Sequence, residues 1–194
     1  STTFYGGRLF PDEYHGNVFY CEPSLNIVHR SVVTRDGAGY VARRAPDEQE
    51  SEVLASTDQW FRPMNLRVGP DGALYIVDMY REIIEDYSAV PRFLQQQYGL
   101  NKGKDHGRIW RLRPVQKNST SRAVLGRATV MELTQALADD NPWRRSTAQR
   151  ILIEQDFPDT RDSLVQLIRN RGTAPSGVIR ALQTLRSLKL LRAS

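Results

Sequence analysis

Asn65-Leu66-Arg67-Val68-Gly69-Pro70-Asp71-Gly72-Ala73-Leu74-Tyr75-Ile76-Val77-Asp78 decides the fold of the first part of this chain. Two short runs with β-branched and aromatic residues flank a Gly-Pro-Asp-Gly tetrad. Proline presets one turn dihedral there and glycine supplies a left-handed one, so the stretch predicts strand, tight turn, strand. Working outward, Asn17-Val18-Phe19-Tyr20-Cys21 and Asn26-Ile27-Val28-His29-Arg30-Ser31-Val32-Val33 read as two further strands. Asp36-Gly37 then turns the chain into Tyr40-Val41-Ala42-Arg43. Gly107-Arg108-Ile109-Trp110-Arg111-Leu112-Arg113 gives one more. Many short strands with turn signals fit a sandwich, a barrel or a propeller, and periodicity does not choose among them.

Beyond residue 119 the pattern changes. Residues 119–194 hold 12 Lys and Arg against 7 Asp and Glu, so the chain's net +5 lies there. Lys117-Asn118-Ser119-Thr120-Ser121-Arg122 is polar and aperiodic, as a linker is. Thr129-Val130-Met131-Glu132 is a capping box, after which Val130, Leu133 and Leu137 fall on one helical face. Asn141-Pro142 starts a second helix with Trp143, Ala148, Ile151 and Leu152 on its apolar side. Pro158-Asp159 opens a third, carrying Leu164, Leu167 and Ile168 and ended by Arg171-Gly172. A fourth runs from about Pro175 through Val178, Ile179, Leu182, Leu185 and Leu188. The starts at Pro142 and Pro175 lie 33 residues apart, a spacing that suits paired-helix repeats.

Composition excludes several classes. With 40% hydrophobic and 25% charged residues the chain is globular rather than disordered or collagen-like. It holds no apolar run near the roughly 20 residues of a spanning helix. A single cysteine, Cys21, rules out an internal disulfide, a CxxC knuckle and a CxxCH haem attachment in this sequence. The P-loop, the dinucleotide glycine fingerprint, HExxH and GxSxG are all missing. Arg144, Arg145, Arg150, Arg169, Arg171, Arg180, Arg186 and Arg192 make the helical part basic, which attracts anions in one reading and is a solvated face in the other. No nucleic-acid motif accompanies them, so no nucleic-acid partner is expected. His29 and His106 are candidate general bases, since histidine titrates near neutrality. Each also reads as structural, His29 on a strand and His106 on a loop beside Asp105. Trp60, Phe61 and Trp110 either stack on a sugar ring or fill a core.

Several motifs occur in an informative order: Glu22-Pro23-Ser24-Leu25-Asn26-Ile27-Val28-His29-Arg30, Asp58-Gln59-Trp60-Phe61-Arg62-Pro63, Asp78-Met79-Tyr80-Arg81 and Gly107-Arg108-Ile109-Trp110-Arg111-Leu112. This series resembles the membrane-bound dehydrogenases of planctomycete-type bacteria, and Pro70–Asp78 resembles the blade signature of quinoprotein glucose and sorbosone dehydrogenases. Asn141–Glu154 is similar to the first HEAT-like repeat of the same group. The resemblance implies a β-propeller fragment of antiparallel four-stranded blades over residues 1–118, a linker at 119–128 and an α-helical HEAT-like solenoid over 129–194. It implies two domains, all-β then all-α, cut from a longer periplasmic or cell-envelope protein. The parent would oxidise a sugar or alcohol with PQQ and Ca²⁺ and pass electrons to a cytochrome c module or another acceptor, with haem c outside this chain. The fragment itself would not turn over substrate, and its helices would offer a surface to a protein partner. A non-catalytic module for glycan or protein partners is the rival expectation. Under the resemblance Arg62, Tyr80 and Arg81 are the cofactor candidates, because guanidinium forks match the three carboxylates of PQQ. Asp71 and Asp78 are the Ca²⁺ candidates, against their plainer readings as a turn residue and a strand-end cap. Where the family often carries His-Pro after Ile-Glu, this chain has Asp86-Tyr87. Arg62 and Arg81 read equally as structural ties to Glu22 or Asp78.

Overall fold

Antiparallel sheet and α-helix follow one another along the chain in the computed structural model, which describes residues 1–115, 124–155 and 157–191. The Lys117–Arg122 linker expectation and Arg192 fall outside the described residues. Two units emerge: one of residues 1–5, 10–68 and 73–115, the other of residues 6–9, 69–72 and 116–194. Among the described residues no helix is long and apolar enough to cross a membrane.

The first unit holds two antiparallel sheets. In one, β1 (Thr2–Phe4), β2 (Val18–Glu22), β3 (Ile27–Asp36) and β4 (Gly39–Arg44) form a meander, and β5 (Leu54–Ala55) also pairs with β3. The ten residues of β3 explain the fifth strand. β4 pairs with its later residues, 31–36, while β5 returns to cover Ile27 and Val28. In the other sheet β6 (Pro63–Val68), β7 (Leu74–Asp78) and β8 (Arg108–Leu112) lie side by side in that order. Both sheets are open. A short helix, α1 (Arg92–Gln97), precedes β8.

Alternation sets what is inside. Along β7, Leu74, Ile76 and Asp78 are buried while Val77 is exposed. Gly72, at φ +81°, closes the β6–β7 turn in a conformation that strains any L side chain. Phe19 on β2 joins Tyr5, Phe10 and Tyr14 in a chain of ring contacts 4.6–6.4 Å apart. The Tyr5 hydroxyl accepts the Phe10 N–H at 2.9 Å, so this buried phenol is not an orphan.

The second unit is built on α2 (Val130–Ala136), α3 (Pro142–Gln155), α4 (Thr160–Arg169) and α5 (Pro175–Ser187). Thr129 and Glu132 close a full capping box at the start of α2. Asn141 caps α3 by accepting the Trp143 N–H at 2.9 Å, and Pro142 follows where no N–H is needed. The Asn141 amide also donates to Gly69 O and Pro70 O at 3.0 and 3.1 Å. α4 begins at Thr160, two residues after the expected Pro158, and Asp159 makes no side-chain cap. Leu133, Leu137, Ala148, Ile151, Leu152, Leu164, Ala181 and Leu185 form one apolar core. Ile179 and Leu182, expected on the apolar side of the last helix, are 55% and 40% exposed.

Candidate functional site

Asp78 ends β7 facing inward, and the sheet register decides its neighbours. Arg108 stands directly opposite it on β8, and Trp110, two residues on, shares that face. Arg108 Nε and Trp110 Nε1 both donate to Asp78 Oδ2 at 3.0 Å. The other oxygen, Oδ1, accepts the backbone N–H of Arg62 at 2.9 Å and of Tyr80 at 3.0 Å. Burial would raise this carboxyl, but the bonds from Arg62 N, Trp110, Arg108 and Tyr80 N outweigh it and hold Asp78 below the ordinary aspartate range. Its hydrogen bond to Asp78 pushes Arg108 further above its usual value.

Aromatic rings surround this pair. The Arg108 guanidinium lies 4.0 Å from the Tyr80 ring centroid and 5.0 Å from that of Trp110. Tyr80 contacts Trp60 at 5.7 Å and His106 at 6.0 Å. Its backbone is left-handed, φ +51°, rare for a bulky residue. Gly103, itself at φ +85°, lies so close to the Tyr80 carbonyl that a β-carbon there would collide with it.

Arg62 reaches three main-chain carbonyls: Nε to Arg81 O at 2.9 Å, Nη1 to Pro23 O at 2.9 Å and Nη2 to Glu82 O at 2.7 Å. Arg81 Nη1 turns to Met79 O and Tyr80 O at 3.2 and 3.1 Å. Arg62, Asp78, Tyr80, Arg81 and His106 are therefore brought into one cluster. Asp71 is not among them: it sits in the turn before β7, half-buried and engaged within the protein.

His29 belongs to a separate cluster that sequence reasoning missed. Its Nδ1 lies 2.7 Å from Glu52 Oε2, and Arg44 Nη2 donates to Glu52 Oε1 at 2.8 Å. Burial pushes Glu52 up, yet the bonds from Arg44 and His29 bring it below the ordinary glutamate value. Beside it on β3, Arg30 is 1% exposed; it donates to Glu48 Oε1 at 2.8 Å and to Asp47, and covers the Tyr14 ring at 4.2 Å. Burial raises the Glu48 carboxyl against the pull of Arg30. An arginine inside a β-branched strand run, followed by the acidic run Asp47-Glu48-Gln49-Glu50-Ser51-Glu52, was the available signal.

Arg62 and Asp78 are engaged by protein partners, and Asp78 does not fit the Ca²⁺ that the resemblance implies. Arg62 spends its Nε–H and one N–H of each Nη on main-chain carbonyls, so its fork is engaged as a structural tie. Both Asp78 oxygens accept two N–H donors, whereas Ca²⁺ demands 6–8 oxygen ligands. Among the described residues no group of three or more His, Cys, Asp or Glu is placed to hold a metal. A cleft of about 250 Å³ does open beside Trp110, lined by Leu54, Phe61, Ile76 and Leu112.

Fold and site together define a two-part protein of antiparallel sheets and helices, whose sheet part is tied by a buried carboxylate among arginines and aromatic rings. The family model described as "Domain of unknown function (DUF7133)" matches residues 1–116, more than half of the chain, and the chain belongs to that family. No curated protein and no solved structure matches it.

Proposed function

We propose that this chain is a binding module, two β-propeller blades followed by two HEAT-like repeats, whose aromatic cleft beside Trp110 receives a glycan. The observation that carries this reading is the contrast at the site. Arg62 and Asp78 are consumed by protein partners, while Trp110 is 45% exposed and its indole is fixed in place through Nε1. A rigid, half-exposed ring beside an apolar cleft suits stacking on a sugar face and supplies no acid, base or nucleophile. Two meander sheets in one unit support the blade assignment. Helix neighbours support the HEAT-like one: α2 packs on α3 and α4, and α5 packs on α3 and α4. That is the pairing of two stacked hairpins, whereas an up-down bundle would set α3 against α4 and α2 against α5. Exposed Ile179 and Leu182 suit a helix face that a further repeat covers.

The test is binding of the intact chain to a panel of neutral oligosaccharides, followed by tryptophan fluorescence and calorimetry. Trp110→Ala should weaken the best ligand about tenfold or more, equivalent to ~1.4 kcal/mol, and Trp110→Phe should keep most of the affinity. Binding to no glycan, or equal binding by Trp110→Ala, overturns the reading.

The motif series favours a second reading, in which the full protein is a cell-envelope, quinone-dependent sugar or alcohol dehydrogenase delivering electrons to a cytochrome. Because Arg62 and Asp78 are engaged within the protein, that activity would reside in blades other than these. PQQ-dependent and Ca²⁺-dependent dye reduction by the full-length protein is its test, and failure across a broad sugar panel removes it.

A further inference from the structure

Arg145 on α3 and Arg180 on α5 are half-buried, stand on neighbouring helices, and are held by neutral groups. Arg145 Nη1 donates to Asp139 O at 2.6 Å and Asp140 O at 2.9 Å. Arg180 Nη1 donates to Gln149 Oε1 at 2.6 Å. Gln149 Nε2 in turn donates to Thr184 Oγ1 at 3.3 Å, and that hydroxyl donates to Arg180 O at 2.7 Å. Residues 145 and 149 are one turn apart on α3, as are 180 and 184 on α5, so two ordered rows meet.

The two guanidiniums feel each other's charge. Burial, then the proximity of Arg180, lowers Arg145 from its usual value against the opposing pull of Asp139 and Asp140. Among the described residues neither arginine has a carboxylate within ion-pair distance; Asp139 is taken by Arg144 at 2.7 Å. Two guanidiniums anchored by neutral groups on adjoining helix rows, with N–H groups left over, offer forks to an anion.

We propose that Arg145 and Arg180 form an oxyanion site, taking the phosphate or carboxylate group of a ligand between α3 and α5. This site is independent of the glycan reading, and both of its arginines lie beyond the matched family residues 1–116.

The experiment titrates the intact chain with inorganic phosphate and, separately, with acetate, at ionic strength held constant with chloride. Saturable binding at one site per chain is expected in at least one arm, and the stronger arm identifies the group recognised. Arg145→Gln and Arg180→Gln should each weaken that binding about tenfold or more, and Arg180→Lys, which keeps charge but not the fork, by a smaller factor. Arg150→Gln, which alters an exposed arginine paired with Glu154, should leave it unchanged. Should Arg145→Gln fail to fold after losing its carbonyl anchors, Arg180→Gln, which gives up only Gln149, carries the test. Absence of saturable binding in both arms, or binding unchanged in Arg180→Gln, overturns the proposal.

Discussion

At the scale of single residues, Asp78 shows how one side chain can be structural by consuming its own chemistry. Four donors converge on it, two of them the backbone N–H groups of Arg62 and Tyr80. Asp78→Ala should therefore cost about 3 kcal/mol, read as a lower urea midpoint at unchanged slope. Most of that loss comes from the stranded N–H groups of Arg62 and Tyr80, since Arg108 is 38% exposed and regains water. The same bonds fix the pH dependence. The folded carboxyl lies below its unfolded value, so its contribution is complete above the ordinary aspartate range and fades as pH falls through the depressed value. Wild type should lose more stability than Asp78→Asn between about pH 4 and pH 2, measured by chemical denaturation at each pH.

Elements meet through backbone approach and buried charge. Adding a methyl to a helical glycine ordinarily stabilises by up to about 1 kcal/mol. At Gly177 on α5 the added β-carbon would meet Ala138 Cβ at 2.7 Å and its Cα at 3.0 Å, so Gly177→Ala should instead destabilise by about 1–3 kcal/mol in a thermal melt. Arg30 clips residues 45–52 to β3, and Arg30→Met leaves Glu48 buried without its cation. A loss of about 3–5 kcal/mol is expected, against a clearly smaller one for Glu48→Gln, which leaves the Arg30 guanidinium paired with Asp47. Such contacts mark the limit of what the sequence discloses. The Gly-Pro-Asp-Gly turn, the Asp36-Gly37 hairpin and the Thr129–Glu132 box are local, and their residues name the geometry without reference to distant parts. By contrast β1, β5 and α1 are 3, 2 and 6 residues long and carry no resolvable period. The Arg30–Glu48 and His29–Glu52 pairs span 18 and 23 residues, so only the fold unites them. Arg62 and Asp78 were legible as special residues. Their partners were not, because carbonyl acceptors have no sequence signature.

Across the whole molecule, what remains open is strand edge. Among the described residues β8 pairs only with β7, and its Ile109 and Trp110 are 69% and 45% exposed. Its sequence alternates and no proline interrupts it, two properties of a template for another strand. Arg108, Arg111 and Arg113 supply charge that slows such pairing, but Arg108 is drawn to Asp78 and does less to guard the edge. In a propeller this edge would take a further strand of its own blade. The isolated chain should therefore associate through β8 as concentration rises. Ile109→Lys places a cation on the exposed face without touching the Asp78 cluster, so it should lower concentration-dependent light scattering and leave the urea midpoint within about 0.5 kcal/mol of wild type. Amide exchange supplies the matching readout: β8 N–H groups not bonded to β7 should gain protection with concentration in wild type and not in Ile109→Lys. Equal scattering and equal exchange in the two proteins would show that association, if any, runs through another surface.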